Sequence, residues 1–434
     1  MGRHTIERLL AGTYADPDGG APLKVATRAV AVERSLDGVT ADLVRPLGLG
    51  QRLAVVSDPE THEIMGAQVA RALQGVATID EVMLPRHPHA DGETVENLRA
   101  ATTSADALVA IGSGTINDLC KYASAQDGKP YIVFGTAPSM NGYTSVNAAI
   151  TLNGHKKSLA AQAPVGAFFD VSVLAAAPKR MIRSGLGDSL CRPTAQADWL
   201  LTHLLFDLPY RTMPFVLLEE DEGPLFDSAA DLLAGDLGAM ERLTYTLLLS
   251  GFGTAICGNS LPASQGEHLI SHYSDMLPDG ARPFSFHGEQ IGVTTLTMAR
   301  LQEEMLEGPA PVLSVDGNHE QDFIAHFGPV LGPSCWRDFA QKRLTRDKAD
   351  ALNARIAQTW DAIRTRIAGI TLPSSRLAEV LTEAGAPRSP EDLGWARDFY
   401  LGAVRHARKI RNRYTFLDFA ADARVLDQLI PRVA

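Results

Sequence analysis

Cysteine is scarce in this chain. Cys120, Cys191, Cys257 and Cys335 lie far apart and form no CxxC pair. Neither a disulfide framework nor a thiolate knuckle is available, and a reducing cytoplasm is the expected compartment. Basic charge is also in deficit. Lys and Arg number 40 against 51 Asp and Glu, for a net charge of −11, and no uninterrupted Lys/Arg run offsets it. A nucleic-acid partner is therefore excluded. No apolar run approaches the ~20 residues of a membrane span. Met1-Gly2-Arg3-His4-Thr5 leads into a mixed polar segment instead of the basic and then apolar pattern of a secretory leader. Internal repeats and low-complexity tracts are missing too. What remains is 434 residues with 45% hydrophobic and 21% charged content, the balance of a globular chain long enough for two cores.

The most informative stretch is Gly112-Ser113-Gly114-Thr115-Ile116-Asn117-Asp118. The apolar run Ala107–Ile111 before it predicts a buried strand, and Leu119–Ala123 after it predicts a helix. A glycine turn between strand and helix leaves backbone N–H groups and the positive end of the helix facing one point, where a phosphate fits. The expected ligand is a nucleotide.

Strand-like and helix-like segments alternate through the first half. Arg52–Ser57, Val82–Leu84, Ala107–Ile111 and Tyr131–Phe134 read as strands, with helices over 60–73 and 93–105. This order predicts a parallel sheet with helices on both faces. The segments 145–152 and 165–170 read as further strands, either a hairpin or an extension of the sheet. From about Ala175 the apolar spacing becomes helical, over 199–206, 225–233, 241–250, 291–305 and 348–367. The expected architecture is an α/β Rossmann-like domain over 1–180 and an all-α domain over 181–434, joined near Gly185-Leu186-Gly187-Asp188. The stretches 308–317 and 385–392, rich in Pro and Gly, read as loops.

Two histidine motifs stand in the second half. Ser264 and Glu267 have capping-box spacing, which predicts a helix start. His268 and His272 then fall at i and i+4 on one face. By itself such a pair also fits a solvated face. His287-Gly288-Glu289-Gln290 adds a third histidine about twenty residues on, which shifts the balance toward a metal site. Asp188, preceded by glycines, reads on its own as a helix N-cap before a ligand, although one carboxylate with two imidazoles is a common catalytic metal set.

Taken in order, the glycine turn, Thr136-Ala137-Pro138-Ser139-Met140-Asn141-Gly142-Tyr143-Thr144-Ser145, Gly185–Asp188, Glu267–His272 and His287–Gln290 resemble the dehydroquinate synthase / iron-containing alcohol dehydrogenase superfamily, and within it the glycerol-1-phosphate dehydrogenases. The resemblance spans roughly the first 300 residues. It implies that Asp188, His268 and His287 hold a divalent metal, zinc first, with nickel and iron as alternatives. It places His272 beside the substrate as a proton shuttle. Gly112, Ser113, Gly114, Thr115 and Asp118 would border the dinucleotide's pyrophosphate, and Thr136, Ser139 and Ser145 would line its nicotinamide end. Asp58 would read the adenosine ribose, which favours NAD(H) over NADP(H), and Lys157 would approach the cofactor.

Three features depart from the family pattern. Asn141 stands where an aspartate is usual, and an amide cannot act as a base. Cys191-Arg192-Pro193 follows Asp188, and Pro193 should kink or restart that helix. The region after about residue 335 has no counterpart in the resemblance. The implied reaction is hydride exchange between dihydroxyacetone phosphate and sn-glycerol 1-phosphate, by a homo-oligomer (dimer or higher) acting on a small phosphorylated polyol or ketone. The rivals are a dehydrogenase of another polyol or sugar phosphate, a dehydroquinate synthase-like cyclase, and a non-catalytic binding protein on the same fold. Too few lysines near the motifs disfavour the cyclase. A two-His-one-carboxylate iron oxygenase shares the ligands and leaves the glycine turn unexplained.

Overall fold

The computed structural model describes residues 2–152, 154–276 and 283–434. Two compact units emerge: Met1–Ser189 with Arg211–Ser260, and Leu190–Tyr210 with Leu261–Ala434. The division differs from the expected boundary at 180/181. It falls just after Asp188, and the helices between 211 and 260 cluster with the sheet.

The first unit is built on a parallel sheet of six strands. They are β1 (Ala29–Glu33), β2 (Arg52–Ser57), β3 (Thr78–Met83), β4 (Ala107–Gly112), β5 (Tyr131–Gly135) and β8 (Gly166–Asp170), in the order β1-β8-β5-β4-β2-β3. A separate antiparallel hairpin joins β6 (Asn147–Leu152) to β7 (His155–Ala160). So 145–152 belongs to a hairpin and 166–170 to the main sheet. Strand β1 has no counterpart in the sequence reading. β4, β5 and β8 are buried along their whole length, as continuous apolar runs in a two-sided sheet should be. Leu53, Val55, Val109, Ile111, Ile132, Phe134 and Phe168 form the core of one face.

β2 has β3 on one side and β4 on the other. The chain order therefore reverses between β2 and β4, and the carboxyl ends of these strands border the crevice where open α/β sheets bind ligands. Ser57–Asp58 and Gly112–Ser113 sit at those ends.

The loop after β5 is gripped by two helices of the same unit. In the helix Lys179–Ser189, a methyl group on Gly185 would fall 1.7 Å from the Pro138 carbonyl oxygen, and Ser184 Oγ donates to Ser139 O at 2.9 Å. In the helix Leu237–Cys257, a methyl group on Gly251 would meet Thr144 Oγ1 at 2.2 Å, and Thr144 Oγ1 donates to Leu248 O at 2.7 Å. Both glycines permit backbone approach that a side chain forbids.

The second unit contains no strand among its described residues. Its core takes in Leu201, Ile270, Met298, Phe323, Phe339, Trp360, Phe416 and Phe419. The helix His287–Glu307 is buried along most of its length. Pro193 stands in the first turn of a new helix, Arg192–Phe206, so the helix restarts there as expected. Among the described residues no helix is long and apolar enough to cross a membrane.

Gly185→Ala should cost about 1–3 kcal/mol of stability, the range for overpacking a tight contact. Denaturant unfolding of the variant checks this. Unchanged stability would show that the helix does not press on the loop.

Candidate active site

The glycine turn joins the end of a strand directly to the start of a helix. Gly112 ends β4, and the helix Gly114–Asp127 begins at once. Ser113, its N-cap, makes no side-chain capping bond, so its hydroxyl does not block the first turn. Asn117 N donates back to Ser113 O at 3.0 Å, and Thr136 N donates to Gly112 O at 3.2 Å. Thr136, expected at the nicotinamide end, is thus tied by its backbone to the glycine turn.

Asp58 is buried at the end of β2. Its Oδ1 accepts from Thr61 N at 2.8 Å and from Thr61 Oγ1 at 2.9 Å, capping a short helix that starts at Pro59. One carboxylate oxygen is thereby committed to the chain. Asp118 is also occupied. Its Oδ2 accepts from Ala149 N at 3.0 Å, and Lys121 Nζ lies 3.7 Å from its Oδ1. Burial raises the Asp118 carboxyl and brings the Lys121 ammonium down to about 8, and each charge opposes the other's shift. Lys157 pairs across the hairpin with Ile150. Its neighbour Lys156 adds a smaller charge effect on Asp118 to that of Lys121.

Beyond β5, Ser139 and Ser145 are buried. Asn141 N donates to Asp188 Oδ2 at 2.7 Å. The backbone makes this contact, so it is open to aspartate or asparagine alike at position 141.

In the second unit three imidazoles converge. Ring centroids lie 5.1 Å apart for His268–His287, 5.7 Å for His268–His272 and 5.8 Å for His272–His287. His268 and His272 lie on the helix Gly266–Asp275, and His287 opens the helix His287–Glu307. Gln290 fastens these helices together. Its Oε1 accepts from Ser271 Oγ at 2.6 Å, and its Nε2 donates to Asp275 Oδ1 at 3.3 Å.

The expected Ser264–Glu267 capping box does not form. The helix starts at Gly266 with Gln265 as N-cap, and Glu267 Oε1 accepts from Gln265 N at 2.7 Å. Asp198, on the helix Arg192–Phe206, takes the capping role instead. Its Oδ2 accepts from Gly266 N at 2.9 Å, and its Oδ1 accepts from Phe416 N at 2.8 Å. Burial, then the Glu267 charge, pushes the Asp198 carboxyl well above the ordinary carboxylate range.

Glu267 Oε1 also lies 2.9 Å from His268 Nδ1. A carboxylate only accepts, so Nδ1 carries the proton and the lone pair sits on Nε2. A metal-ligating histidine is oriented in this way. Donor atoms of Cys191, Glu267 and His268 also lie within 4.8 Å of one another. Glu267 Oε1 already serves Gln265 N and His268 Nδ1.

Sequence reasoning missed Asp198 as a cap and Lys121 as a contact of the loop after β5. It quoted Glu267 and Gln290 only as parts of their motifs. All four act through partners distant in sequence or through a neighbouring side chain, which spacing does not reveal.

An iron-containing alcohol dehydrogenase family model matches residues 31–178. The chain is 29% identical to a Geobacillus stearothermophilus glycerol-1-phosphate dehydrogenase (NAD(P)+) over 385 residues, covering 85% of this chain and 86% of that one. It is 31% identical to the Pyrococcus furiosus protein of the same name over 334 residues, covering 74% and 95%. Among solved structures, glycerol dehydrogenase from Schizosaccharomyces pombe superposes with a TM-score of 0.62 at 14% identity, covering 97% of this chain and 93% of that one. An iron-containing alcohol dehydrogenase from Thermococcus thioreducens gives 0.61 at 14% identity, covering 94% and 98%. Such shares cannot be reached without the helices after residue 335, so the shared fold takes them in. The chain belongs to the glycerol-1-phosphate dehydrogenase family and is an oxidoreductase of the metal-dependent alcohol dehydrogenase type.

Proposed function

We propose that this chain interconverts dihydroxyacetone phosphate and sn-glycerol 1-phosphate with a nicotinamide dinucleotide. The observation that carries the reading is the convergence of His268, His272 and His287, with Glu267 fixing the tautomer of His268. The names of the relatives support the substrate pair, and the glycine turn at the switch point supports the dinucleotide.

Asp188, His268 and His287 are the proposed holders of one zinc ion. Imidazole with carboxylate suits zinc, nickel and iron, and zinc demands the least in geometry. Held there, such an ion would supply Lewis-acid chemistry toward a carbonyl oxygen. Around it, Glu267 keeps His268 Nε2 presented as a lone pair. His272, one turn along the same helix, holds the proton exchanged with the substrate oxygen. Asn141 offers the substrate an amide in place of a carboxylate and so adds no negative charge beside Asp188. The first turn of the helix Gly114–Asp127 seats the pyrophosphate, and Asp58 reads the adenosine ribose.

His268→Ala and His287→Ala should each reduce bound zinc from stoichiometric to trace levels by elemental analysis. Full occupancy in both variants would remove the ligand assignment.

NADH should bind more tightly than NADPH, because the Asp58 carboxylate repels a 2′-phosphate. Fluorescence titration of the two reduced cofactors compares them directly, and tighter NADPH binding would show that Asp58 does not face the ribose.

Asn141→Asp places a second carboxylate next to Asp188 in a site that must admit a phosphorylated anion. We expect kcat/KM for dihydroxyacetone phosphate to fall about tenfold or more, as like charges brought together in a desolvated site require. An unchanged value on every phosphorylated ketone tested would place residue 141 outside the reacting centre.

A further inference from the structure

Lys121 lies inside the helix that begins at the glycine turn, two turns past the turn itself, and its side chain has no solvent exposure. A buried ammonium has three N–H groups to satisfy. Lys121 Nζ donates to Gly142 O at 2.5 Å, to Ser145 Oγ at 3.0 Å and to Asn147 O at 3.1 Å. All three acceptors come from the one loop that follows Asn141. Asp118, one turn earlier on the same helix, holds the next segment by accepting from Ala149 N. Ser145 Oγ in turn is within donor range of Gly142 O at 2.9 Å and of Asn147 O at 3.0 Å, so the loop closes around the ammonium.

The other attachments of this loop leave it little slack. Tyr143 Oη donates to Ala137 O at 2.5 Å. Thr144 is pinned to the helix Leu237–Cys257, and Asn141 N is held by Asp188. Of these ties, the one formed by Lys121 links the loop to the helix whose first turn meets the pyrophosphate.

We propose that Lys121 is a positioning residue: it makes the phosphate-binding helix and the 142–147 loop one rigid piece, so that seating the dinucleotide's pyrophosphate fixes the loop at its nicotinamide end. The proposal rests on the dinucleotide reading above. Lys121 touches neither cofactor nor substrate in this arrangement. Its effect is on the geometry of hydride transfer, where a displacement of about 1 Å costs about a hundredfold in rate.

Hydrogen–deuterium exchange with and without NADH, on the full-length protein and on Lys121→Met, tests this. In the parent protein NADH should slow exchange both in peptides covering 112–118 and in peptides covering 141–149. In Lys121→Met the slowing should persist at 112–118 and vanish at 141–149. In turnover, kcat should fall about tenfold to a hundredfold, while KM for NADH stays near the parent value. Slowing at both segments in the variant, with kcat intact, overturns the proposal and leaves the dinucleotide reading standing. No slowing at 112–118 in the parent protein overturns both. Should Lys121→Met fail to fold by circular dichroism, Ser145→Ala, which removes one of the three acceptors, carries the same comparison. A partial loss of slowing at 141–149 supports the proposal, and full slowing there with parent kcat overturns it.

Discussion

A polar group removed from water survives in a protein only if every polar direction around it is answered, and in each unit of this chain one such group ties together elements that carry proposed site residues. In the first unit it is the Lys121 ammonium, with three acceptors drawn from a single loop. In the second it is the Asp198 carboxyl, which caps two helices at once, one starting at Gly266 and the other at Phe416. Neither group reaches solvent. Both hold elements that carry proposed site residues: the loop after Asn141, and the helix bearing His268 and His272. The capping bond to Phe416 N also explains why the last helices matter to a cluster more than a hundred residues upstream.

Much of the fold was legible because its signals are local. The β4–turn–helix sequence carries its own glycines, and β4, β5 and the Leu53–Val56 part of β2 are unbroken runs without a charged residue. The histidine pair at 268 and 272 announces itself by helical spacing. The illegible parts are those in which a partner replaces a local rule. Ser264 and Glu267 have the spacing of a capping box, yet Asp198 supplies the cap from another helix, and Glu267 turns instead to Gln265 and His268. The domain division shows the same limit. Helical periodicity over 241–250 says nothing about which core the helix joins, and the contact of Gly251 with the 136–147 loop settles it for the sheet unit.

Asn141 shows how one position can be read twice. By sequence it is a lost carboxylate. In the structure its backbone N–H meets Asp188, a contact that asparagine and aspartate make alike. Asp58 carries the opposite lesson: a residue expected to serve a ligand also serves the chain, as the cap of the helix that follows β2.

The position of β1 has a consequence for synthesis. β1 spans Ala29–Glu33, near the start of the chain, and its neighbour in the sheet is β8, Gly166–Asp170, the last strand to be made. During translation β2, β3, β4 and β5 can zip together in turn, while β1 waits with its backbone unpaired until β8 emerges. Its inner residues, Ala31 and Val32, are apolar and buried in the finished fold. For that interval the nascent chain carries an open edge of the kind that recruits other strands. The strand order thus makes β1–β8 the last pairing of the main sheet that synthesis allows.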